Sequence, residues 1–363
     1  MALEIDVLAV GEKSKGGDAI ALRFGNLYDR ENQVVMIVDG GPKESGERLV
    51  AHIKDRYGTD RVDVVVSTHP DGDHIRGLVE VLSSDLQVDE LWMNRPTEHS
   101  AMLKAMALTE NRYLLNAQFR ESIEQADQVV QLALENNVTI CDAFFTGAGT
   151  NFGGGYEVYI LGPTEIYYEQ LCKEMQEQKE QHQAQQSLTA AVSNYAKSFG
   201  TQLLEAVAKE KLTDNGETSP SNNSSVVLLI RTPDGDALLT ADAGIPALDY
   251  VVTHAEGLGI DLSACQFQQV PHHGSKRNIG PTLLNTLIGT TGVSRSPISV
   301  CVSAPKEGRP KHPSYNVTNA YKRRGADVYT TEGVNYLFPF GACPPRDDYG
   351  QGNPIGYGPE EDE

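Results

Sequence analysis

The sequence contains few cysteines, and their positions suit neither a metal site nor a disulfide framework. Its 363 residues include five cysteines, and no two of them form a Cys-x-x-Cys pair. This odd number and wide spacing argue against a thiolate zinc site and against a paired disulfide scaffold. Such cysteine usage is typical of a reducing compartment, so we expect a cytoplasmic location.

Long apolar runs are also missing from the chain. No apolar stretch approaches the roughly 18 residues that a membrane-spanning helix requires. Residues 1–10 lack the basic start and the long apolar run of a signal peptide. The sequence therefore predicts a protein without a membrane segment.

Basic residues are outnumbered by acidic ones. The chain has 30 Lys and Arg against 50 Asp and Glu, which gives a formal net charge of −20 at pH 7. This charge excludes a general basic surface for nucleic acid, although a local basic patch would still allow contact. The candidates for such a patch lie near the motifs described below: Lys276, Arg277, Lys306, Arg309, Lys311, Lys322, Arg323 and Arg324.

The order of apolar segments predicts sheets and helices in both halves of the chain. The first half has strand patterns at residues 5–10, 19–24, 34–38, 62–66 and 91–93, and helix patterns at 47–57 and 75–82. The second half has strand patterns at 156–161, 226–230, 237–240, 266–270, 298–302 and 327–329, and helix patterns at 281–287 and 317–324. This arrangement indicates stacked sheets with helices outside.

Two helical stretches, at about 98–140 and 165–212, interrupt this pattern. The second stretch ends in an apolar stripe formed by Leu188, Val192, Tyr195, Phe199, Leu203 and Val207. Such a stripe packs on the main domain, covers an active site as a lid, or contacts a protein partner or a second copy in a homodimer. The glycine-rich residues 147–155 predict a hairpin or a helix–strand connection. Residues 344–363 predict an acidic, flexible tail.

The strongest chemical signal is the run His69-Pro70-Asp71-Gly72-Asp73-His74. It places four potential metal ligands within six residues, directly after a buried strand. Imidazole and carboxylate groups are natural ligands for Zn²⁺, Mn²⁺ or Fe²⁺. The alternative is a polar loop that caps a helix, but one cap needs only one Asp.

Three further elements carry polar residues after predicted strands or before a helix. His272 and His273 lie beside Gly274, Ser275 and Lys276, so they resemble a metal ligand with a handle for an oxyanion or phosphate. Asp242 lies just past a strand, where an isolated Asp is usually a turn or cap residue. His312 precedes a helix and, taken alone, is typical of a surface histidine.

Taken together, these elements resemble the successive motifs of the metallo-β-lactamase superfamily. The closest likeness is to the soluble hydrolase domain of ComEC-type competence proteins. The likeness includes Asp39-Gly40-Gly41 after a strand, Asn223-Ser224 before a strand, and Ala241-Asp242 where that subgroup has Gly-Asp. It implies an α+β four-layer αββα sandwich, the metallo-β-lactamase fold, with helical insertions. We expect one domain over residues 1–343.

The resemblance implies a site for two divalent metal ions, Zn²⁺ or Mn²⁺. His69 and Asp71 would hold one ion, Asp73 and His74 the other, and Asp242 would bridge them. Either His272 or His273 would complete the second site, and the sequence leaves this choice open. Asp39 would orient the ligands from behind. Most of the superfamily has His where Asp71 stands, and a further His has no clear counterpart here, which tilts the preference modestly toward Mn²⁺.

The implied activity is metal-assisted hydrolysis with a water nucleophile. Asp73, His312 and Lys276 are the candidates for catalysis, and Ser275, Asn223 and Ser224 are the candidates for substrate binding. A phosphodiester in nucleic acid or a nucleotide is the first substrate hypothesis. The alternatives are hydrolysis of a small ester, lactone or thioester, and a partner-binding module with a residual metal site.

Overall fold

The computed structural model describes residues 2–11, 16–100, 117–185, 210–293, 298–307, 312–348 and 352–360. Two seven-stranded mixed sheets form the centre of this part of the chain. None of its helices combines the length and the apolar character that a bilayer-spanning segment requires.

The first sheet is formed by the N-terminal part of the chain and one late strand. Its strands are β1 (Ala2–Val7), β2 (Ala19–Gly25), β3 (Gln33–Gly40), β4 (Arg61–Ser67), β5 (Gln87–Met93), β6 (Thr139–Cys141) and β14 (Tyr336–Gly341). They lie in the order β14-β1-β2-β3-β4-β5-β6. The strands from β3 to β6 run parallel, whereas β14, β1, β2 and β3 pair antiparallel.

The second sheet repeats this mixture of directions. Its strands are β7 (Thr150–Asn151), β8 (Glu157–Gly162), β9 (Val227–Arg231), β10 (Ala237–Leu239), β11 (Phe267–Gln269), β12 (Ser299–Val302) and β13 (Asp327–Thr330). The strands from β10 to β13 are parallel, and those from β7 to β10 are antiparallel. Because β7 pairs with β8, the glycine-rich residues 147–155 form a hairpin, one of the two structures expected.

Nine helices are described. They are α1 (Lys43–His52), α2 (Gly72–Ser83), α3 (Pro96–His99), α4 (Ala117–Glu135), α5 (Glu165–Gln185), α6 (Pro220–Asn223), α7 (Ile245–Gly257), α8 (Pro281–Leu287) and α9 (Tyr315–Arg323). A π-helical turn, Ile53–Tyr57, continues α1 and ends at Gly58.

Three clusters of buried side chains separate four layers. One cluster lies between the sheets, where Leu22 of β2 and Leu228 of β9 are both buried. The second buries Leu78 of α2 with residues of the first sheet, and the third buries Leu248 of α7 with residues of the second sheet. The αββα sandwich expected from the sequence is therefore confirmed.

A close backbone approach fixes the position of α2, the helix that carries His74. A Cβ atom on Gly77 would lie 1.9 Å from the carbonyl oxygen of Gly40 and 2.9 Å from the amide nitrogen of Gly46. The Gly77 amide also donates to the carbonyl of Gly41 (2.9 Å). Because these contacts are backbone contacts, α2 lies directly on the turn that follows β3.

The predicted insertions are only partly described. In the first, α3 and α4 are helical, but Thr139–Cys141 belongs to the first sheet, so the expected boundary at 140 is too late. Residues 101–116 lie outside the described residues. In the second, α5 is helical as expected, and the apolar stripe from 188 to 207 lies outside the described residues.

Part of the predicted tail is packed on the second half of the domain. The side-chain amide of Asn319 donates to the carbonyl of Gly358 (2.7 Å), and Arg323 pairs with Glu360. The amide of Ile355 donates to the carbonyl of Val328 (2.8 Å). These contacts hold residues 352–360 against α9 and β13.

Candidate metal centre

The side chains singled out by the sequence lie where neighbouring strands end. β3 and β4 run parallel, with Asp39 near the end of β3 and His69 just after β4. β10 and β11 are also parallel, with Asp242 after β10 and the pair His272 and His273 after β11. Since the carboxyl ends of parallel strands share one edge of a sheet, each sheet brings its own two segments together. The contacts of Asp242 with His69 and His74 then join the edges of the two sheets.

Asp39 is fully buried and accepts three hydrogen bonds. Its Oδ1 accepts from the backbone N–H of Thr68 (2.8 Å), and its Oδ2 accepts from the Thr68 hydroxyl (2.6 Å). Oδ2 also lies 2.7 Å from Nδ1 of His74. In a neutral imidazole, donation from Nδ1 leaves the lone pair on Nε2 available for a metal. Asp39 is thus placed to orient His74.

Asp242 lies at the centre of the cluster. Its Oδ1 is 3.4 Å from Nε2 of His74 and 3.7 Å from Nε2 of His273. Its Oδ2 is 3.8 Å from Nε2 of His69 and forms a hydrogen bond with Nδ1 of His272. Four imidazoles from two separate motifs therefore face one carboxylate.

Several atoms of this cluster are buried without a hydrogen-bond partner. They are Nε2 of His69, Nε2 of His74, Oδ1 of Asp18 and Oδ1 of Asp242. Each such atom costs about 1–3 kcal/mol if it stays unsatisfied. A cation with ligands at about 2.0–2.2 Å would satisfy nitrogen and oxygen atoms that are this far apart. The residues present therefore fit a divalent metal ion.

The potential ligands of the cluster form four overlapping trios, in each of which the ligand atoms lie within 4.8 Å of one another. The trios are Asp39, His69 and His74; Asp73, His74 and His273; Asp242, His272 and His273; and Asp18, His74 and Asp242. Within the described residues, Asp71 belongs to no such trio. Instead, its Oδ1 accepts a hydrogen bond from the hydroxyl of Ser221 (2.6 Å). The role of Asp71 as a metal ligand stays a prediction.

The charged side chains of the cluster shift one another's pKa values. Burial alone would lower the pKa of His74, but the carboxylates of Asp242 and Asp39 raise it well above its usual value. Burial alone would raise the pKa of Asp242, but the imidazoles of His272, His74 and His273 hold it well below its usual range. Burial raises the pKa of Asp18. The cluster thus favours positive charge at its centre, which protons or a metal cation supply.

The structure distinguishes the two adjacent histidines that the sequence leaves as alternatives. Nδ1 of His273 lies 2.9 Å from the carbonyl oxygen of Ser303, so it donates there and the lone pair is on Nε2, where it accepts a hydrogen bond from the Gly17 amide (3.2 Å). A metal bound at Nε2 would take the place of that hydrogen bond. His272 is half-buried, and its Nδ1 contacts Asp242 and the side-chain amide of Asn222. His273 is fully enclosed and has the tautomer of a ligand, whereas His272 faces the adjoining pocket.

Asp18 is a member of the cluster that the sequence analysis missed. It is buried, and its Oδ2 lies 3.7 Å from Nδ1 of His74. The preceding Gly17 has φ +126°, and a Cβ there would lie 2.0 Å from the carbonyl oxygen of Asp73. The Gly17 amide also lies 3.2 Å from Nε2 of His273. The signal was an acidic residue after two glycines at the start of a buried strand.

Asn223 and Ser224, the predicted substrate-binding pair, make internal contacts. Oδ1 of Asn223 accepts from the hydroxyl of Thr218 (2.8 Å) and from the amide of Gly244 (3.1 Å). The Ser224 hydroxyl donates to the carbonyl of Ser221 (2.6 Å). Neither residue lines the described pocket beside the cluster. A role of Asn223 and Ser224 in substrate binding stays a prediction.

The neighbours of that pair touch the cluster instead. The hydroxyl of Ser225 accepts from the Asp242 amide (3.2 Å) and lies 3.4 Å from Nδ1 of His69. Asn222 contacts His272, as described above. The residues on either side of the predicted pair therefore contact the potential metal ligands.

A pocket of about 440 Å³ adjoins the cluster on the side of His272. Its lining includes Ser275, Lys276, Arg277 and His312, so three predicted site residues and the basic Arg277 share one space. Burial, together with the neighbouring imidazoles, lowers the pKa of His312 to about 4. His312 is therefore neutral at pH 7 and suited to hydrogen bonding.

Three of the predicted basic patch residues are committed elsewhere. Arg324 is almost fully buried and forms two hydrogen bonds with Glu210 (2.6 and 3.1 Å). Arg323 pairs with Glu360, and Lys322 donates to the carbonyl of Ile355. Arg309 and Lys311 lie outside the described residues. The side chains of residues 322–324 are therefore engaged within the fold, whereas Lys276 and Arg277 of the predicted patch line the pocket.

No protein-family model matches the chain, and no curated protein matches it. Among solved structures, the metallo-β-lactamase fold protein YhfI from Bacillus subtilis is 8% identical, with a TM-score of 0.44, over 93% of this chain and 100% of that chain. A diphosphatase from the PhnP family is 9% identical, with a TM-score of 0.40, over 94% and 98%. Zn²⁺-bound PqqB from Methylobacterium extorquens is 10% identical, with a TM-score of 0.41, over 92% and 99%. Likeness at this level does not decide what the chain does.

Proposed function

We propose that this chain is a metal-dependent hydrolase of the metallo-β-lactamase superfamily that cleaves phosphodiester bonds in nucleic acid or nucleotides. The observation that carries the proposal is the convergence of buried, unpartnered ligand atoms on Asp242. The order of motifs supports the superfamily, and the resemblance of these motifs to the ComEC-type hydrolase domain supports the substrate class.

We assign the metal ligands as His69, His74, Asp242 and His273, with Asp73 beside His74. Two divalent ions, Zn²⁺ or Mn²⁺, would supply Lewis acidity and a water that ionises near neutral pH. The chain supplies the orientation. Asp39 holds the ring of His74, and burial of all three imidazoles keeps bulk water from the ligand atoms.

The pocket residues supply substrate binding in this proposal. Lys276 and Arg277 place positive charge in the pocket beside His272, where they would bind the anionic oxygens of a phosphodiester. The Ser275 hydroxyl would donate to the same group. His312, neutral at pH 7, would donate a hydrogen bond from its ring to an oxygen on which negative charge develops.

The charge of the pocket supports a phosphodiester over a neutral ester. On a chain with a net charge of −20, Lys276 and Arg277 outnumber Glu217, the acidic side chain that also lines the pocket beside the cluster. Such a local excess of positive charge concentrates anionic ligands at one place. A second pocket of about 340 Å³ shares these three side chains and adds Lys211.

The test is a cleavage assay with the purified full chain. Single- and double-stranded DNA, RNA and bis(p-nitrophenyl) phosphate are offered with Mn²⁺, Zn²⁺, Mg²⁺ or a chelator, beside a panel of esters, lactones and thioesters. The variant Asp242→Asn removes the central carboxylate, and Asp249→Asn makes the same chemical change on α7. We expect phosphodiester cleavage that falls at least about 100-fold in Asp242→Asn and is retained in Asp249→Asn.

Each other outcome contradicts a different part of the proposal. Metal-dependent cleavage of esters, lactones or thioesters alone would overturn the substrate class and leave the metal site intact. Absence of metal binding, with no hydrolysis of any substrate, would overturn the enzyme and leave a partner-binding module. Equal activity in Asp242→Asn and the wild type would overturn the assigned site.

A further inference from the structure

Another group of potential metal ligands lies at the start of α5 and shares no residue with the central cluster. The ligand atoms of His99, Glu165 and Glu169 lie within 4.8 Å of one another. His99 ends α3, whereas Glu165 and Glu169 are one turn apart on α5. Nδ1 of His99 is 3.7 Å from Oε1 of Glu165. Three side chains from two helices therefore face one small volume.

The imidazole of His99 is buried, and one of its two nitrogens has no hydrogen-bond partner. Its side chain is only 9% exposed, and its Nε2 is among the buried atoms without a partner. Nε2 lies 3.7 Å from Oδ1 of Asp142, on the side of the ring opposite Glu165. A carboxylate behind a histidine whose other nitrogen faces further carboxylates is the arrangement found behind metal-binding histidines.

Aromatic side chains hold this ring in place. The rings of Phe144 and Tyr168 lie perpendicular to the His99 ring, with centroids 4.9 Å and 5.6 Å away. The Tyr168 hydroxyl donates to the carbonyl of Asn94 (3.0 Å). The side-chain amide of Asn94 in turn donates to the carbonyl of Ala143 and accepts from its backbone N–H. The orientation of the His99 ring is therefore fixed before any ligand binds, as a binding site requires.

The charges of the group call for a cation. Glutamates four residues apart on a helix face each other and repel. Among the described residues, no lysine or arginine forms an ion pair with Glu165 or Glu169. In contrast, Asp142 forms an ion pair with Arg95, with 3.7 Å between Oδ1 and Nη2. Glu165 is more than half exposed, so a cation can enter from solvent. One imidazole and two carboxylates form a ligand set that Zn²⁺ accepts, with the remaining position left to water.

We propose that His99, Glu165 and Glu169 bind a separate divalent transition-metal ion, Zn²⁺ by its ligand chemistry, which joins the end of α3 to the start of α5. Nδ1 would be the ligand nitrogen, and the protonated Nε2 would face the carboxylate of Asp142, which lies 3.7 Å away. The site is structural, since it holds the first turn of the helix that opens the second insertion. This proposal does not depend on the proposed hydrolase activity.

The experiment is Zn²⁺ binding by equilibrium dialysis and elemental analysis on the full chain. The variants are His99→Gln and the double variant Glu165→Gln/Glu169→Gln. The control is Glu174→Gln, which changes a glutamate further along α5 that accepts from Gln170 (2.9 Å). We expect both site variants to bind one Zn²⁺ fewer per chain than the wild type, and the control to bind the same number.

The same comparison in an Asp242→Asn background separates this site from the central cluster. We expect the loss of one Zn²⁺ to persist there, because the two groups share no ligand. If His99→Gln does not fold, the double glutamate variant decides, since its substitutions keep the shape of the side chains. Equal Zn²⁺ content in the wild type and the double glutamate variant would overturn the proposal.

Discussion

Nδ1 of His74 lies 2.7 Å from Oδ2 of Asp39, and both side chains are fully buried. This contact joins the end of β3 to the first turn of α2. The same carboxylate also accepts two hydrogen bonds from Thr68, the residue before His69. One buried acid therefore sets the position of the histidines on both sides of the HPDGDH run.

The variant Asp39→Asn should weaken metal binding without removing a ligand. An amide has one acceptor oxygen, whereas the carboxylate accepts from three donors on Thr68 and His74. We expect the affinity for Zn²⁺ to fall about 10–100-fold, measured by calorimetric titration. The control is Asp29→Asn at an exposed turn, where Asp29 accepts from Asn32. Equal affinities in the two variants would mean that Asp39 does not orient the site.

The sequence predicted the strand ends that carry the site because each is a simple local pattern. The β-branched run before His69 suits a buried strand, and the polar cluster after it has few structural explanations. Asp18 was missed because a single acid beside two glycines is typical of a turn. Only the packing of Gly17 against Asp73 places Asp18 beside His74.

Two elements that the sequence did not predict have physical reasons. The strand β14 contains Pro339, which weakens a strand pattern, but β14 lies at the edge of its sheet, where proline is tolerated. The helix α7 contains the adjacent β-branched residues Val251 and Val252, which lower helix propensity. Burial of Leu248 and Val251 in the cluster between α7 and the second sheet outweighs this low helix propensity.

Ala241→Gly should be close to neutral, because Ala241 has a backbone conformation that glycine prefers. Its φ is +46°, and this conformation costs a residue with a Cβ atom about 1–2 kcal/mol. The greater freedom of glycine in the unfolded chain offsets about 0.5–1 kcal/mol of the gain, and loss of the buried methyl group offsets about 0.8 kcal/mol more. We expect the free energy of unfolding, from urea denaturation, to stay within about 0.5 kcal/mol of the wild-type value.

Ala243→Gly is the matched control two residues later. Ala243 is buried and does not have positive φ, so the same change should destabilise the chain by about 1 kcal/mol. Equal losses in both variants would show that the left-handed conformation at Ala241 carries no strain.

Gly77→Ala should strongly destabilise the chain, because the added methyl group meets backbone that cannot move cheaply. The new Cβ would lie 1.9 Å from the carbonyl oxygen of Gly40 and 2.9 Å from the amide nitrogen of Gly46. We expect a loss of at least about 2 kcal/mol in the free energy of unfolding, seen as a lower urea midpoint. Displacement of α2 would also move His74 away from Asp39, so the affinity for Zn²⁺ should fall as well.

The control for this change is Gly257→Ala at the end of α7. A Cβ on Gly257 would meet nothing within 4 Å, so alanine should raise stability by up to about 1 kcal/mol through its helix propensity. Unchanged stability in Gly77→Ala would mean that α2 and the turn after β3 separate more easily than their contacts imply.

Lys276→Gln tests whether the pocket beside His272 binds an anion. If Lys276 contacts a phosphodiester oxygen, loss of this charged contact of about 1.5 kcal/mol should raise KM for bis(p-nitrophenyl) phosphate roughly tenfold, with kcat little changed. The difference should shrink at high ionic strength, because salt screens the attraction. The control Lys54→Gln makes the same change in net charge on the first sheet's helical face, where Lys54 pairs with Asp85. If KM were the same in both variants, the positive charge of this pocket would not select the substrate. The charge argument for a phosphodiester would then fail even with the metal site intact.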